Sequence, residues 1–348
     1  MTVVVALLAG CQAGVPFSHQ VIPVIPDGLK VKGASAKAYA VNDAGHVVGI
    51  YSPPAPRTGD QIFVLADGRL IRRDYPCNGY LYANIITNTG LIAGHCQASG
   101  TGGVRSFVLS YRQDGTLQEV RPAWPTQDYL VSGMNDRGDA IGWAPEDAYR
   151  RGILGFVYVS GKLDVIRTSN APPMKRFSNA VINASGLVVG GERDRMPAGP
   201  DRYTDYRYFV FENGRFAELP LDVPGVVKAA NRNGHFVIAG RGRRFGIQEA
   251  SYRDIACGKE WCNVNDINDL GWVVGNRHTA YPIPPIGAAI GDTFLWANNE
   301  FYSIDGSVGM KVDPESPLRL GNGGHILFHS GEWPYLLVPQ GLSKRAAQ

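Results

Sequence analysis

Apolar and polar positions along this chain follow one repeated phrase: an apolar pair, an Asn or Asp turn closed by Gly, then two or three β-formers and a second Gly. It is clearest at Ala40-Val41-Asn42-Asp43-Ala44-Gly45-His46-Val47-Val48-Gly49 and at Val181-Ile182-Asn183-Ala184-Ser185-Gly186-Leu187-Val188-Val189-Gly190. The same register recovers Gly90 with Gly94, Gly138 with Gly142 and Gly271 with Gly275, with weaker turns at Gly234 and Gly324, seven copies in all. The first glycines are 45, 48, 48, 48, 37 and 53 residues apart, a period at which one repeat is a small sheet and not a helix pair. No long stretch carries apolar residues at helical spacing, and the fold class is therefore all-β.

Each unit divides into four strand-like pieces. In the first these are Ala38-Tyr39-Ala40-Val41, His46-Val47-Val48-Gly49-Ile50-Tyr51, Gln61-Ile62-Phe63-Val64-Leu65 and Arg69-Leu70-Ile71-Arg72-Arg73. The Asn-Asp-x-Gly turn joins the first pair and Asp67-Gly68 the second, both suited to positive φ in tight hairpins. The second hairpin returns as Ser106-Phe107-Val108-Leu109, Gly155-Phe156-Val157-Tyr158, Tyr208-Phe209-Val210-Phe211 and Thr293-Phe294-Leu295-Trp296, each followed by a turn pair. Four antiparallel strands repeated seven times predict a seven-bladed β-propeller. The fifth unit, with Arg241-Gly242-Arg243-Arg244-Phe245-Gly246-Ile247 in place of the usual hairpin, is expected to be an irregular blade.

The chain ends agree with a ring. The seventh unit stops after its third strand, Tyr335-Leu336-Leu337-Val338, while Val21-Ile22-Pro23-Val24-Ile25 precedes the first unit without a partner. Together they make one blade, closed by the N-terminal strand, and closure removes free sheet edges. Prolines suit the outer edge position. The expected layout is a leader and linker at 1–19, a single propeller domain at 20–340 and a polar tail at 341–348.

These phrases resemble the HAF family of bacterial extracellular repeats, whose units run as Ile-Asn-Asn-x-Gly-x-Val-Val-Gly, then His-Ala-Phe-Leu-Trp, then Gly and a short apolar strand. Residues 182–190 and Thr293-Phe294-Leu295-Trp296 match best, over a resemblance spanning about residues 20 to 339; the His-Ala pair is absent from every copy. The resemblance implies an exported, propeller-like protein and carries no catalytic residue to transfer.

Net charge is only +3 and the basic residues are scattered, which argues against a nucleic-acid partner. Leu8-Ala9-Gly10-Cys11, after the apolar Val3-Val4-Val5-Ala6-Leu7, matches a bacterial lipobox with Cys11 as the lipidated residue, although no Lys or Arg precedes it. Lipidation would anchor the protein to a membrane, and Gln12 after the cysteine favours the outer membrane or cell surface, with the periplasm as the alternative. Four cysteines then remain, consistent with two disulfides in an exported protein, Cys77 with Cys96 and Cys257 with Cys262.

In a four-stranded blade the turns after strands one and three share one face of the disc, and the connections after strands two and four share the other. The first face has only tight turns. The second carries long connections at 52–60, 97–105, 144–153, 192–207 and 276–292, and long loops on a rigid scaffold are where recognition usually resides. The richest runs through Glu192, Arg193, Asp194, Arg195, Asp201, Arg202, Tyr203, Asp205 and Tyr206. Its alternating charges and tyrosines would offer bidentate hydrogen bonds and a stacking platform to a glycan or anionic peptide. The plainer reading is a solvated loop whose ion pairs satisfy one another. A second loop, Arg277 and His278 through Tyr281 to a proline-rich stretch, would present a stiff apolar tip or pack over its own blade.

His325 and His329 share an i, i+4 spacing, but on a strand that is about 13 Å at ~3.3 Å per residue, too far for one ion. Asp194, Asp201, Asp205 and Asp292 are the acids available for glycosidic chemistry. No nucleophile elbow, phosphate-cradling loop or zinc signature is present, and no motif calls for a cofactor. The turn residues Asn42, Asn135, Asn183, Asn231 and Asn268 read as structural. Three functions fit: a monomeric binding module for a glycan, peptide or protein on the long-loop face; a carbohydrate-active hydrolase or lyase at the mouth of the central channel; or a structural surface repeat.

Overall fold

The computed structural model describes residues 17–55, 59–99, 103–112, 114–124, 126, 129–143, 153–167, 177–193, 206–212, 215–219, 225–240, 244–249, 252–258, 260–278, 291–313, 316 and 318–340. They form seven four-stranded antiparallel sheets, the blades of a propeller. Blade 1 is Ser35–Val41, Val47–Ser52, Gln61–Ala66 and Arg69–Asp74, and blade 2 is Gly79–Ile86, Leu91–Ala98, Val104–Tyr111 and Leu117–Glu119. Blade 3 comprises Leu130–Met134, Ala140–Trp143, Ile153–Val159 and Lys162–Arg167; blade 4 comprises Phe177–Ile182, Val188–Arg193, Tyr206–Glu212 and Arg215–Leu219. In blade 5 the strands are Gly225–Ala230, Phe236–Gly240, Arg244–Gln248 and Tyr252–Ala256, and in blade 6 Trp261–Ile267, Val273–His278, Gly291–Ala297 and Glu300–Ser303. The expected irregular unit is thus a full four-stranded blade.

Blade 7 takes Arg319–Leu320, Ile326–Ser330 and Trp333–Pro339 from the C-terminal end, and its outer strand is His19–Pro23. Val21 pairs with Leu337, Ile22 with Leu336 and Pro23 with Tyr335. The closing strand begins and ends two residues earlier than the Val21 to Ile25 expected from the sequence. Val24 and Ile25 are fully buried between blades 7 and 1, with Val24 N–H still donating to Pro334 O at 3.1 Å. Those two side chains serve as core and not as ladder. A short helix, Ile304–Val308, follows blade 6, and no helix among the described residues is long and apolar enough to cross a membrane.

The core is divided into seven clusters, one at each blade–blade interface. Val47 joins the cluster shared with blade 7, while its neighbour Val48 joins the one shared with blade 2. Each sheet is therefore covered on both sides, which is why the second strands read as continuous apolar runs and not as alternation; the strand Val47–Ser52 is buried at every residue but the last.

The second Gly of the repeat and the Phe of the second hairpin are cross-strand partners. Gly49 faces Phe63, Gly94 faces Phe107, Gly142 faces Phe156, Gly190 faces Phe209 and Gly275 faces Phe294. The ring lies over the glycine: a Cβ built on Gly49 would sit 2.6 Å from Phe63 Cζ and 2.2 Å from Lys37 O. Blade 5 reverses the arrangement, with Ile238 at the glycine position facing Gly246, and blade 7 has aromatics at both places, Phe328 stacked on Tyr335 at 5.7 Å.

Candidate functional site

The innermost strand of every blade ends in the repeated turn, and seven such turns ring one mouth of the central channel. In blade 1 the Asn42 Oδ1 accepts from the N–H groups of Ala44 and His46, closing its own turn. Its Nδ2 then donates to Thr87 O of the next blade at 3.1 Å. Asn135 reaches Asn183 O in the same way, Asn231 reaches Asn268 O and Asn268 reaches Gly321 O. One side chain thus closes a turn and joins two blades.

The following turn residue makes a second, outer ring. Asp43 N–H donates to Asn88 Oδ1, Asn88 N–H to Asp136 Oδ1, Arg232 N–H to Asp269 Oδ1, Asp269 N–H to Asn322 Oδ1 and Asn322 N–H to Asp43 Oδ1. Two links are missing because Ala184 and Arg232 have no side-chain acceptor. The Arg232 guanidinium instead bridges Asp269 of blade 6 and Asp43 of blade 1 at the mouth.

Below this ring is a cavity of about 340 Å³. It is polar because of a recurrent irregularity: the first strand of each of blades 1 to 6 carries a bulge, with Tyr39, Asn84, Ser132, Asn179, Lys228 and Asn265 as the extra residues. A bulge re-aims a side chain that the ladder would otherwise point into an interface. Asn84, Ser132, Lys228 and Asn265 accordingly line the cavity, joined by Asp266 and Arg319. Arg319 donates from Nε to Tyr39 O and from Nη1 to Leu318 O, both at 3.1 Å. Asp266 accepts Leu320 N–H at 3.0 Å on Oδ2 and Ile267 N–H at 2.9 Å on Oδ1. Burial pushes its carboxyl above the usual range, against the pull of Arg319, and burial together with Arg319 pushes the Lys228 ammonium down.

This cavity was not anticipated from the repeat. Its residues sit three positions before the turn residue in most units, at Asn84, Ser132, Lys228 and Asn265, a polar break in an apolar strand and the one signal that would have found it.

Of the binding residues proposed from sequence, those that are described lie at the opposite end of the blades. Glu192 and Arg193 end the second strand of blade 4 and Tyr206 opens its third, with Arg193 paired to Tyr206 in register. Arg195, Asp201, Arg202, Tyr203, Asp205 and Tyr281 fall outside the described residues, as does Cys11. His278 is paired in register with Gly291 at the end of its strand. Arg277 is 11% exposed and committed to blade 6: Nε and Nη2 donate to Asp292 Oδ1 and Oδ2, Nε lies 3.3 Å from Glu260 Oε2, and the guanidinium covers the Phe301 ring. Of the two histidines set aside as metal ligands, His329 is buried and its Nε2 accepts Ala38 N–H across the blade 7 to blade 1 junction at 3.1 Å.

The cysteines pair as Cys77–Cys96 and Cys257–Cys262, with Cα separations of 5.6 and 6.2 Å. Both bonds lie at the long-connection end of the disc. Cys77 precedes the first strand of blade 2 and Cys96 is near the end of its second; Cys257 follows the last strand of blade 5 and Cys262 is near the start of blade 6. Glu260, which contacts Arg277, sits inside the second ring.

This fold and these two mouths define the protein as a closed seven-bladed propeller. No family model matches the sequence, and no curated protein matches it. Among solved structures, virginiamycin B lyase from Staphylococcus aureus is similar at 12% identity and TM-score 0.54, over 92% of this chain and 99% of that one. The β-propeller domain of the trilobed protease from Pyrococcus furiosus gives 10% and 0.56 over 85% and 91%. YCF48 bound to D1 peptide gives 8% and 0.53 over 94% and 97%. At such identities the likeness concerns fold alone.

Proposed function

We propose that this protein is an exported, lipid-anchored propeller that binds a glycan, peptide or protein partner on its long-connection face. The observation that carries this reading is the position of both disulfides. They brace that face, one in blade 2 and one at the blade 5 to blade 6 junction, while the other face is held by hydrogen bonds and ion pairs and carries no disulfide among the described residues. Disulfides belong to oxidising compartments, and bracing the base of a loop lowers the entropy cost of presenting it. The fold itself does not choose between roles, since similar propellers include a lyase and a peptide-bound protein.

The test is a glycan and peptide array probed with the whole chain and with a variant in which 194–205 is replaced by a Gly-Ser linker of equal length. Binding that falls at least tenfold in the variant, with the melting temperature kept within a few degrees, supports the reading. Equal binding by both, or none by the parent, rejects it. Anchoring is checked separately: Cys11→Ala should move the protein from the detergent phase to the aqueous phase.

A second reading, a hydrolase or lyase acting at a channel mouth, draws on the opposed shifts of Asp266 and Lys228, because perturbed acid and base groups in a cleft are a mark of catalytic sites. Turnover of a polysaccharide that Lys228→Met abolishes would favour it over the binding module.

A further inference from the structure

We propose that the channel cavity beneath the tight-turn mouth is a binding site for a small oxyanion, the carboxylate or phosphate group of a soluble ligand, held by Lys228 and Arg319. This goes beyond the binding face argued above and lies at the opposite mouth.

Three observations lead to it. The first is donor excess. Lys228 has three ammonium donors and no hydrogen-bond or ion-pair partner among the described residues, and Arg319 uses two of its five N–H donors on the carbonyls of Tyr39 and Leu318. The second is charge: the lining carries Lys228, Arg232 and Arg319 against Asp136 and Asp266, and of these two carboxylates Asp266 attracts Arg319 while neither pairs with Lys228. The third is construction: Lys228 is the extra residue of a bulge, the position that supplies polar groups to the channel in blades 2, 3 and 6, so its placement repeats a feature of the fold. Two cations line one polar cavity, and with Asp266 beside Arg319 and no carboxylate paired to Lys228, the lysine is free to take an anion. Burial and Arg319 together already lower the Lys228 pKa, a cost that a bound anion would relieve.

The cavity limits the ligand. At about 340 Å³ it is at the small end of ligand pockets. It has room for one compact acid. Asn84, Ser132 and Asn265 add neutral donors and acceptors around the charged group, as a polar ligand requires.

Isothermal titration calorimetry of the whole chain at fixed ionic strength tests this, with inorganic phosphate and malonate as probes and chloride as the background anion. The expected result is saturable binding at one site for one or both probes, weakened at least tenfold by Lys228→Met, restored in part by Lys228→Arg and untouched by Arg69→Met, an exposed outer-strand change of equal charge. Phosphate alone would assign a phosphate ester; malonate alone, a carboxylate; both would leave the oxyanion class as stated. Melting curves without added probe confirm that Lys228→Met is folded, and removing an unpaired half-buried cation should leave its melting temperature equal or higher. No binding by either probe, or equal binding by the parent and a folded Lys228→Met, would overturn the proposal.

Discussion

At His329 one proton is enough to change a bond. Its Nε2 accepts Ala38 N–H, so the neutral ring carries its hydrogen on Nδ1, and a second proton on Nε2 would set donor against donor. Burial lowers its pKa from 6.5 to about 4, with Asp313 opposing and Lys37 adding to the shift. The folded state thus takes up this proton less readily than the unfolded chain. Stability from this group is complete above about pH 6.5, falls as pH drops toward 4 and changes little below that. A shift of that size corresponds to about 3 kcal/mol at full extent. His329→Gln keeps an acceptor that does not titrate, so urea unfolding at pH 7 and pH 4.5 should show a smaller acid loss in the variant than in the parent, by one to several kcal/mol. Equal losses would mean that His329 is not a site of acid sensitivity. Gly49 is a second single-residue test: a methyl group there meets backbone at 2.2 Å, so Gly49→Ala should cost about 1 to 3 kcal/mol by overpacking, read from the urea midpoint.

Among elements, the repeat showed the strands and the turns well, because each unit carries a turn that needs Gly and two hairpins that need β-formers. Gly45, Gly90, Gly138, Gly186, Gly234, Gly271 and Gly324 all have positive φ, as the turn reading required. The glycine–phenylalanine contact was hidden although both residues stood in the repeat, since pairing across strands depends on register and not on spacing along the chain. The bulges were hidden for a related reason: an extra residue in a strand leaves no mark until its partner strand is aligned, so Lys228 and Asn265 read only as interruptions. The turn asparagines were recognised as closing their own turns; their reach to the next blade needs the ring to be assembled. That ring suggests an element-scale test. Ala184 leaves Asp136 N–H without the side-chain acceptor that other blades provide, and Ala184→Asn should supply one. The expected gain is about 1 kcal/mol, seen as a higher thermal or urea midpoint; an unchanged or lower midpoint would show that the two rings act independently of that link.

For the whole molecule, closure determines cooperativity. Seven interfaces form a closed ring only while His19–Pro23 occupies blade 7, and removing it would expose the Trp333–Pro339 edge together with the pocket of Val24 and Ile25 if the cut passes them. Deletion of residues 1–16 should keep a single unfolding transition, whereas deletion of residues 1–26 should lose it; similar curves for both would contradict closure as the source of cooperativity. The Cys77–Cys96 bond, closing a separation of 19 residues, should add about 3 kcal/mol by restricting the unfolded chain, and reduction should remove that amount. An oxidising location and the repeat register are reached by one measurement: cells are acid-quenched and alkylated, the protein is digested without reductant, and its cysteine peptides are mapped. Linked peptides are expected for Cys77 with Cys96 and for Cys257 with Cys262. Alkylated free thiols at these four positions would contradict the location, and a link from Cys77 to Cys257 or Cys262 would contradict the register.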